Sequence, residues 1–355
     1  MITEQTSITI KKTDRSRLQD VDLDNVVFGR VFSDHMLVMD HVNGKWQEPV
    51  IEAYSDMRMS PASLVLHYGQ SIFEGMKAYR NEAGEATLFR PEMNIKRMNR
   101  SAERMCMPQI PEDLFLQGLK ELINLDRDWI PNKEDSSLYI RPFMFASDEY
   151  VGVKSSDGFR FMIITCPVQA YYTEPVKVKI ETEYSRAFDG GTGNVKSAGN
   201  YAAALYPAKL AQEQGYHQLI WTDAREHKYI EESGTMNVFL EVDGELLTPP
   251  TGGTILEGVT RDSLIQLAKD NGVEVSVRPV TVEEIVQAGR EGRLTDAFGA
   301  GTAATIAHIK SIAYGNEEFE LPKPSERGFS NKARGILEDI KRLRVADQHG
   351  WVVKV

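Results

Sequence analysis

The chain has 355 residues, 41% hydrophobic and 26% charged, with a formal net charge of −11. That length suits two domains of ordinary size, and the composition is that of a soluble globular protein, which excludes disordered and collagen-like classes. The negative surplus also disfavours a nucleic-acid partner, because binding to a phosphate backbone needs excess Lys and Arg on one face.

No run approaches the roughly 18 apolar residues that cross a membrane. The opening MITEQTSITIKKTDRSR lacks the apolar stretch of a secretory signal. A cytoplasmic protein without a membrane partner is expected. Cys106 and Cys166 form no CxxC pair, so no metal site and no disulfide framework is expected, and both read as buried thiols.

In chain order, the first signals are short strands through Val26 to Phe32 and Met36 to His41, joined at Ser33, Asp34 and His35 as a hairpin. A helix follows Pro91. Another follows Pro111, where Phe115, Leu119, Leu122 and Ile123 share one face. These helices cover a sheet that includes the apolar runs Leu138 to Phe145 and Phe159 to Thr165. The stretch PVQAYYTEP has no helical or strand period and reads as a crossing between domains.

Beyond it, Val176, Val178 and Ile180 alternate with charged residues as a half-exposed strand. Further strands read at His217 to Thr222 and, around an Asp243-Gly244 turn, at Val238 to Val242 and Glu245 to Leu247. A helix runs from Thr260 to Asn271 and stops at Gly272. Another starts with Thr281 and Glu284 in capping-box spacing, and a last one lies near Ser330 to Leu343. The expected division is an α/β domain over 1–168, a linker over 169–178 and a second domain over 179–355.

The segment FDGGTGNVKSAGNY sets a single lysine, Lys196, among Gly190, Gly191, Gly193 and Gly199. Glycine at that density lets main chain approach a ligand closely. A phosphate-cradling Walker loop would need glycine directly before the lysine, where Val195 stands, so that pattern fails. An exposed lysine in a flexible turn is the bland alternative.

The runs NVKSAGNYAAAL and EESGTMNVFL, together with HYGQSIFEGMKAYR, LFRPEMNIKRM, LYIRPF, LEGVTRDSL and FGAGTAA, resemble the branched-chain aminotransferases of the fold-type IV pyridoxal-phosphate family. The segments follow the family's order from Tyr68 to Thr302, and the long form of the family, with the EGMKAYR and GTMN spellings, is the closer match. The resemblance implies a two-domain α/β fold with a smaller N-terminal domain, a larger C-terminal domain and the cofactor, pyridoxal 5′-phosphate, between them. It implies a homodimer that moves amino groups reversibly between leucine, isoleucine or valine and 2-oxoglutarate.

Site roles follow from the same resemblance. Lys196 matches the catalytic lysine, whose amine condenses with the cofactor aldehyde and then moves a proton. Glu232 matches the carboxylate that keeps the ring nitrogen protonated, with Glu231 as the structural rival on the other face of the strand. Arg97 and the helix start at Val259 and Thr260 match the phosphate cradle. Tyr201, Thr235 and Thr302 match further cofactor positions.

For the substrate, Tyr68, Phe73, Tyr139, Tyr171 and Tyr201 match the apolar wall, Thr302 and Ala303 match the turn beside it, and Arg141 matches the partner of a distal carboxylate. Val151 and Val153 match positions that reach the neighbouring subunit's site. Some long-form members carry a CxxC pair after the GTA turn, where this chain has Ala304 and Ala307, so no thiol switch is expected there. Two rival readings are a relative that acts on D-amino acids or aminodeoxychorismate, and a binding protein that has the fold without turnover.

Overall fold

Phe115, Leu119, Leu122 and Ile123 lie on one face of a helix over Glu112–Leu125, and all four are buried against a sheet. That packing belongs to the first of two compact units in a computed structural model describing residues 7–355. The first unit is Met1–Tyr171 with Asp339–Val355, and the second is Tyr172–Glu338. The chain therefore divides between Tyr171 and Tyr172, and its last segment goes with the first unit rather than with the second domain expected over 179–355. The first unit is thus no shorter than the second. Residues 176–178, read as the end of a linker, lie in the strand Val176–Ile180 of the second unit.

The helices are α1 (Leu64–Tyr68), α2 (Pro91–Arg104), α3 (Glu112–Leu125), α4 (Ala198–Ala203), α5 (Leu205–Glu213), α6 (Val259–Asp270), α7 (Val282–Arg290) and α8 (Phe329–Lys341). In the first unit the sheet order is Thr9–Ile10, Val50–Ala53, His35–Val42, Phe159–Val168, Ser137–Ala146, Met76–Arg80, Ala86–Phe89 and Val352–Lys354. The last strand pairs antiparallel with Ala86–Phe89 through Val352 and Phe89, which ties the C-terminal segment to this unit. Ile95 and Met98 of α2 join α3 in covering the sheet.

The expected hairpin before residue 42 does not form. Gly29 has φ +71° and the Arg30 amide bonds the Val27 carbonyl, so 27–30 turns instead of extending. His35–Val42 pairs with Val50–Ala53 on one side and Phe159–Val168 on the other. The aromatic residues of the expected strand pack as side chains instead: Phe28 against Tyr139 and Tyr171, and Phe32 stacked on Tyr54.

In the second unit Ile230–Ser233, Gln218–Thr222, Val176–Ile180, Thr305–Tyr314, Leu294–Gly301 and Met236–Val242 follow one another in the sheet, and the first pairs back onto the last. These six strands close into a ring, with Val178, Ile220, Val238, Ala297, Ile309 and Ile312 in its core. Closure falls at the pair Glu232 and Asn237, across a tight turn at Gly234 with φ +58°. α6 and α7 pack on this sheet. Among the described residues, no helix is long and apolar enough to cross a membrane.

Candidate active site

Where the ring closes, two glutamates stand side by side on Ile230–Ser233, and both are buried. Glu232 is the better supplied. Its Oε1 accepts from Asn237 Nδ2 at 3.1 Å and from the Leu256 amide at 3.0 Å. Its Oε2 lies 2.9 Å from Arg186 Nε, whose N–H is not aligned for a hydrogen bond, so this contact is a charge pair. Burial pushes Glu232 above the usual carboxylate range, against the pull of Arg186, the Leu256 amide and Lys196. Glu231 is likewise pushed up by burial, while a hydrogen bond with Thr254 and the charge of Arg186 pull it down. Its Oε2 has no hydrogen-bond partner among the described residues.

Lys196 is half-buried just before α4, and its Nζ donates to the Tyr201 hydroxyl at 2.6 Å. The loop before it is held from within. Asn200 Nδ2 donates to the Thr192 and Val195 carbonyls, and Thr192 donates to Asn200 Oδ1 at 2.7 Å. Gly193 is needed for contact rather than for φ: a Cβ there would overlap Ala187 Cβ and stand 2.7 Å from the Thr254 carbonyl. Close packing of main chain thus requires glycine at 193, whereas Gly190 serves a turn at φ +80° with open space around it.

α6 opens with Val259 and Thr260, both buried, after Gly258 at the N-cap. No side chain caps this start, so its first amides are available to an anion. Gly258 cannot carry a side chain, since a Cβ would overlap Asn237 Oδ1. Asn237 Nδ2 also donates to the Leu256 carbonyl at 2.9 Å, so one side chain joins Glu232 to the turn before α6. Thr235 is exposed in the turn after Glu232, and Thr302 and Ala303 are half-buried in the turn between Leu294–Gly301 and Thr305–Tyr314.

The first unit holds the remaining expected residues, and only some of them are brought together. Arg141 donates to the Tyr139 hydroxyl at 3.0 Å and stacks its guanidinium over Phe73 and Tyr139. Phe28 bridges Tyr139 to Tyr171 edge-on. Arg141 Nε is buried without a hydrogen-bond partner among the described residues. Tyr68, at the end of α1, is exposed and belongs to no such cluster. Elsewhere, Arg97 is buried in α2 and grips Glu74 with Nε to Oε1 at 2.7 Å and Nη2 to Oε2 at 2.8 Å. Glu74 is fully buried and also accepts from Asn94 and the Gly75 amide.

Val151 and Val153 are exposed on a loop pinned at its base. Gln70 reaches the Met105 carbonyl and the Ser156 amide, and Asp148 accepts the Asp157 and Gly158 amides. Of the two thiols, Cys166 is buried and pushed up by burial, whereas Cys106 is exposed, contrary to the expectation for both. Cys106 sits at φ +54° just past α2, a corner that turns its side chain outward rather than into the core.

The sequence pattern matches a model described as class IV amino-transferase over residues 71–312. The chain belongs to that family. Among class IV aminotransferases it is 45% identical over 338 residues to a Bacillus subtilis branched-chain-amino-acid aminotransferase, a match covering 94% of this chain and 93% of that protein. A branched-chain amino acid aminotransferase structure from Escherichia coli superposes with a TM-score of 0.71 at 26% identity, covering 90% of this chain and 98% of that one. The fold is also that of a branched-chain aminotransferase from the thermophilic archaeon Thermoproteus uzoniensis, solved with norvaline, at a TM-score of 0.73 and 23% identity, covering 90% and 99%.

Several side chains that contact the expected site residues are not singled out by the sequence. Glu74 and Asn237 lie inside the quoted EGMKAYR and GTMN segments, where their fixed distance from Arg97 and Glu232 is the available signal. Arg186 and Phe28 carry no such local pattern.

Proposed function

We propose that the protein is a branched-chain amino acid transaminase that moves the amino group of L-leucine, L-isoleucine or L-valine to 2-oxoglutarate through pyridoxal 5′-phosphate. The observation that carries this reading is an amine and a tyrosine hydroxyl in contact, Lys196 and Tyr201, in the same unit as the buried Glu232. The donor set fits that cofactor: an amine for its aldehyde, a carboxylate for its ring nitrogen, and uncapped helix amides for its phosphate. When bound, the cofactor supplies the electron sink that makes a substrate Cα–H acidic.

The chain's own residues do the rest. Lys196 would accept the proton lifted from the substrate Cα and deliver it to C4′ of the cofactor. Tyr201 orients the Lys196 amine through its hydroxyl. Glu232 holds a proton on the ring nitrogen, and the donors from Asn237 and Leu256 fix the plane of its carboxylate. Val259 and Thr260 offer backbone amides to the phosphate, and Arg97, aimed by Glu74, adds positive charge.

Phe73, Tyr139, Tyr171 and Tyr68 are assigned to the branched side chains, with Thr235, Thr302 and Ala303 on cofactor and substrate from their turns. Arg141 is assigned to the distal carboxylate of glutamate and 2-oxoglutarate. The exposed Val151 and Val153, on a loop braced from behind, are assigned to the partner's site in a cytoplasmic homodimer.

The test is a panel of amino donors offered with 2-oxoglutarate to the cofactor-loaded protein. Leucine, isoleucine and valine should outrun alanine, aspartate and every D-amino acid, with glutamate as product. Turnover of D-alanine alone would move the protein to the D-amino acid branch, and binding without turnover would make it a carrier.

A further inference from the structure

Arg186 is the side chain on which three segments of the second unit meet. Its Nε stands 2.9 Å from Glu232 Oε2, while its Nη2 donates to the Gly193 carbonyl at 3.0 Å and to the Thr254 carbonyl. Gly193 belongs to the loop that ends in Lys196, and Thr254 to the turn that leads into α6. Those two stretches are so close that a Cβ on Gly193 would lie 2.8 Å from Thr254 Cα. Both partners of the ion pair are buried, at 9% and 4% side-chain exposure. A carboxylate that deep stays ionised only with a cation and hydrogen bonds beside it.

The other charges felt at Glu232 are Lys196, Arg261 and Glu231. Arg261 spends an N–H on the Pro249 carbonyl at 2.8 Å. Lys196 is engaged with Tyr201. Arg186 is therefore the cation in contact.

We infer that Arg186 is a positioning residue: it keeps the Glu232 carboxylate charged and clamps the Lys196 loop to the turn that opens α6. It touches no reacting atom. Its guanidinium fork satisfies an anion and two carbonyls at once, which a lysine ammonium on a flexible stem does not reproduce. The inference rests on the pyridoxal-phosphate reading, since it concerns the groups assigned to the cofactor's ring nitrogen, aldehyde and phosphate.

The experiment compares wild type, Arg186→Met and Arg186→Lys by two measurements. One is titration of each apoprotein with pyridoxal 5′-phosphate. The other is the pH at which the visible band of each loaded protein changes. Arg186→Met should bind the cofactor at least about tenfold more weakly, and its band should titrate about one pH unit higher, as expected when a nearby cation is lost. Arg186→Lys should return the band close to its wild-type pH, because charge is restored, yet leave binding weakened, because the fork is not.

Should Arg186→Met fail to fold, the lysine variant alone decides: weakened binding with a near-normal band supports the role, and wild-type binding overturns it. Unchanged binding and band in a folded Arg186→Met also overturns it. If the wild type itself takes up no pyridoxal phosphate, the functional reading falls instead, before Arg186 is tested.

Discussion

Arg141 donates a hydrogen bond to the Tyr139 hydroxyl at 3.0 Å, and its guanidinium carbon lies 4.7 Å from the centre of the Phe73 ring. The same cation thus sits among aromatic faces while its buried Nε goes without a partner among the described residues. Such a group is suited to an incoming carboxylate in apolar surroundings.

Replacement of Arg141 with methionine should therefore harm the two half-reactions unequally. A glutamate carboxylate buried without a cation loses on the order of 2 to 5 kcal/mol. Leucine asks only for apolar contact, and should lose far less, through repacking of Tyr139 and Phe73. Single-turnover rates measured separately with glutamate and with leucine check this. Equal losses in both would make Arg141 a scaffold residue.

Glu232→Gln keeps a side chain of the same shape and can still accept from Asn237 and the Leu256 amide, but removes the charge. Transamination should fall by roughly a hundredfold or more, the scale seen when one aligned electrostatic contact is removed from a water-poor site. Thermal stability should fall as well, because Arg186 is left buried without its anion. Activity near wild type would pass the ring-nitrogen role to Glu231.

His308 gives a pH signature that is independent of catalysis. Burial pushes it down from 6.5 to about 4, helped by the guanidinium groups of Arg327 and Arg334. Its Nδ1 lies 3.3 Å from the Ser330 hydroxyl. Between pH 6.5 and about 4 the unfolded chain takes up a proton at this histidine and the folded chain does not. The contribution is then fully present above 6.5 and lost as the pH falls through the window. Discounted for partial exposure, it amounts to about 1 to 2 kcal/mol. Urea unfolding of wild type and His308→Gln at several pH values should show the wild type losing more stability toward pH 4. Parallel curves would contradict the assignment.

What the sequence reveals depends on range. Phe115, Leu119, Leu122 and Ile123 disclose α3 because a helix buries residues a turn apart, and the Asp243-Gly244 turn discloses its two strands for an equally local reason. Lys196 and Glu232 are singled out in the sequence because their motifs have few alternatives. Val26 to Phe32 reads as a strand because its composition is right, but Gly29 turns the chain and no neighbour pairs with it there. Pairing of Val352–Lys354 with Ala86–Phe89 joins residues more than two hundred positions apart, and no local pattern announces it. Arg186 escapes for the same reason: its partners, Glu232 and Thr254, are distant in sequence, and an arginine before a glycine run is by itself an ordinary surface residue.

The measurement that bears most directly on the account is borohydride reduction of the protein loaded with pyridoxal 5′-phosphate, followed by peptide mapping. Lys196 follows the close-packed Gly193, and its Nζ lies on the Tyr201 hydroxyl. One labelled peptide is predicted, carrying the cofactor on Lys196, and Lys196→Ala should lose both the label and turnover. A label on any other lysine, or turnover surviving in Lys196→Ala, would contradict it.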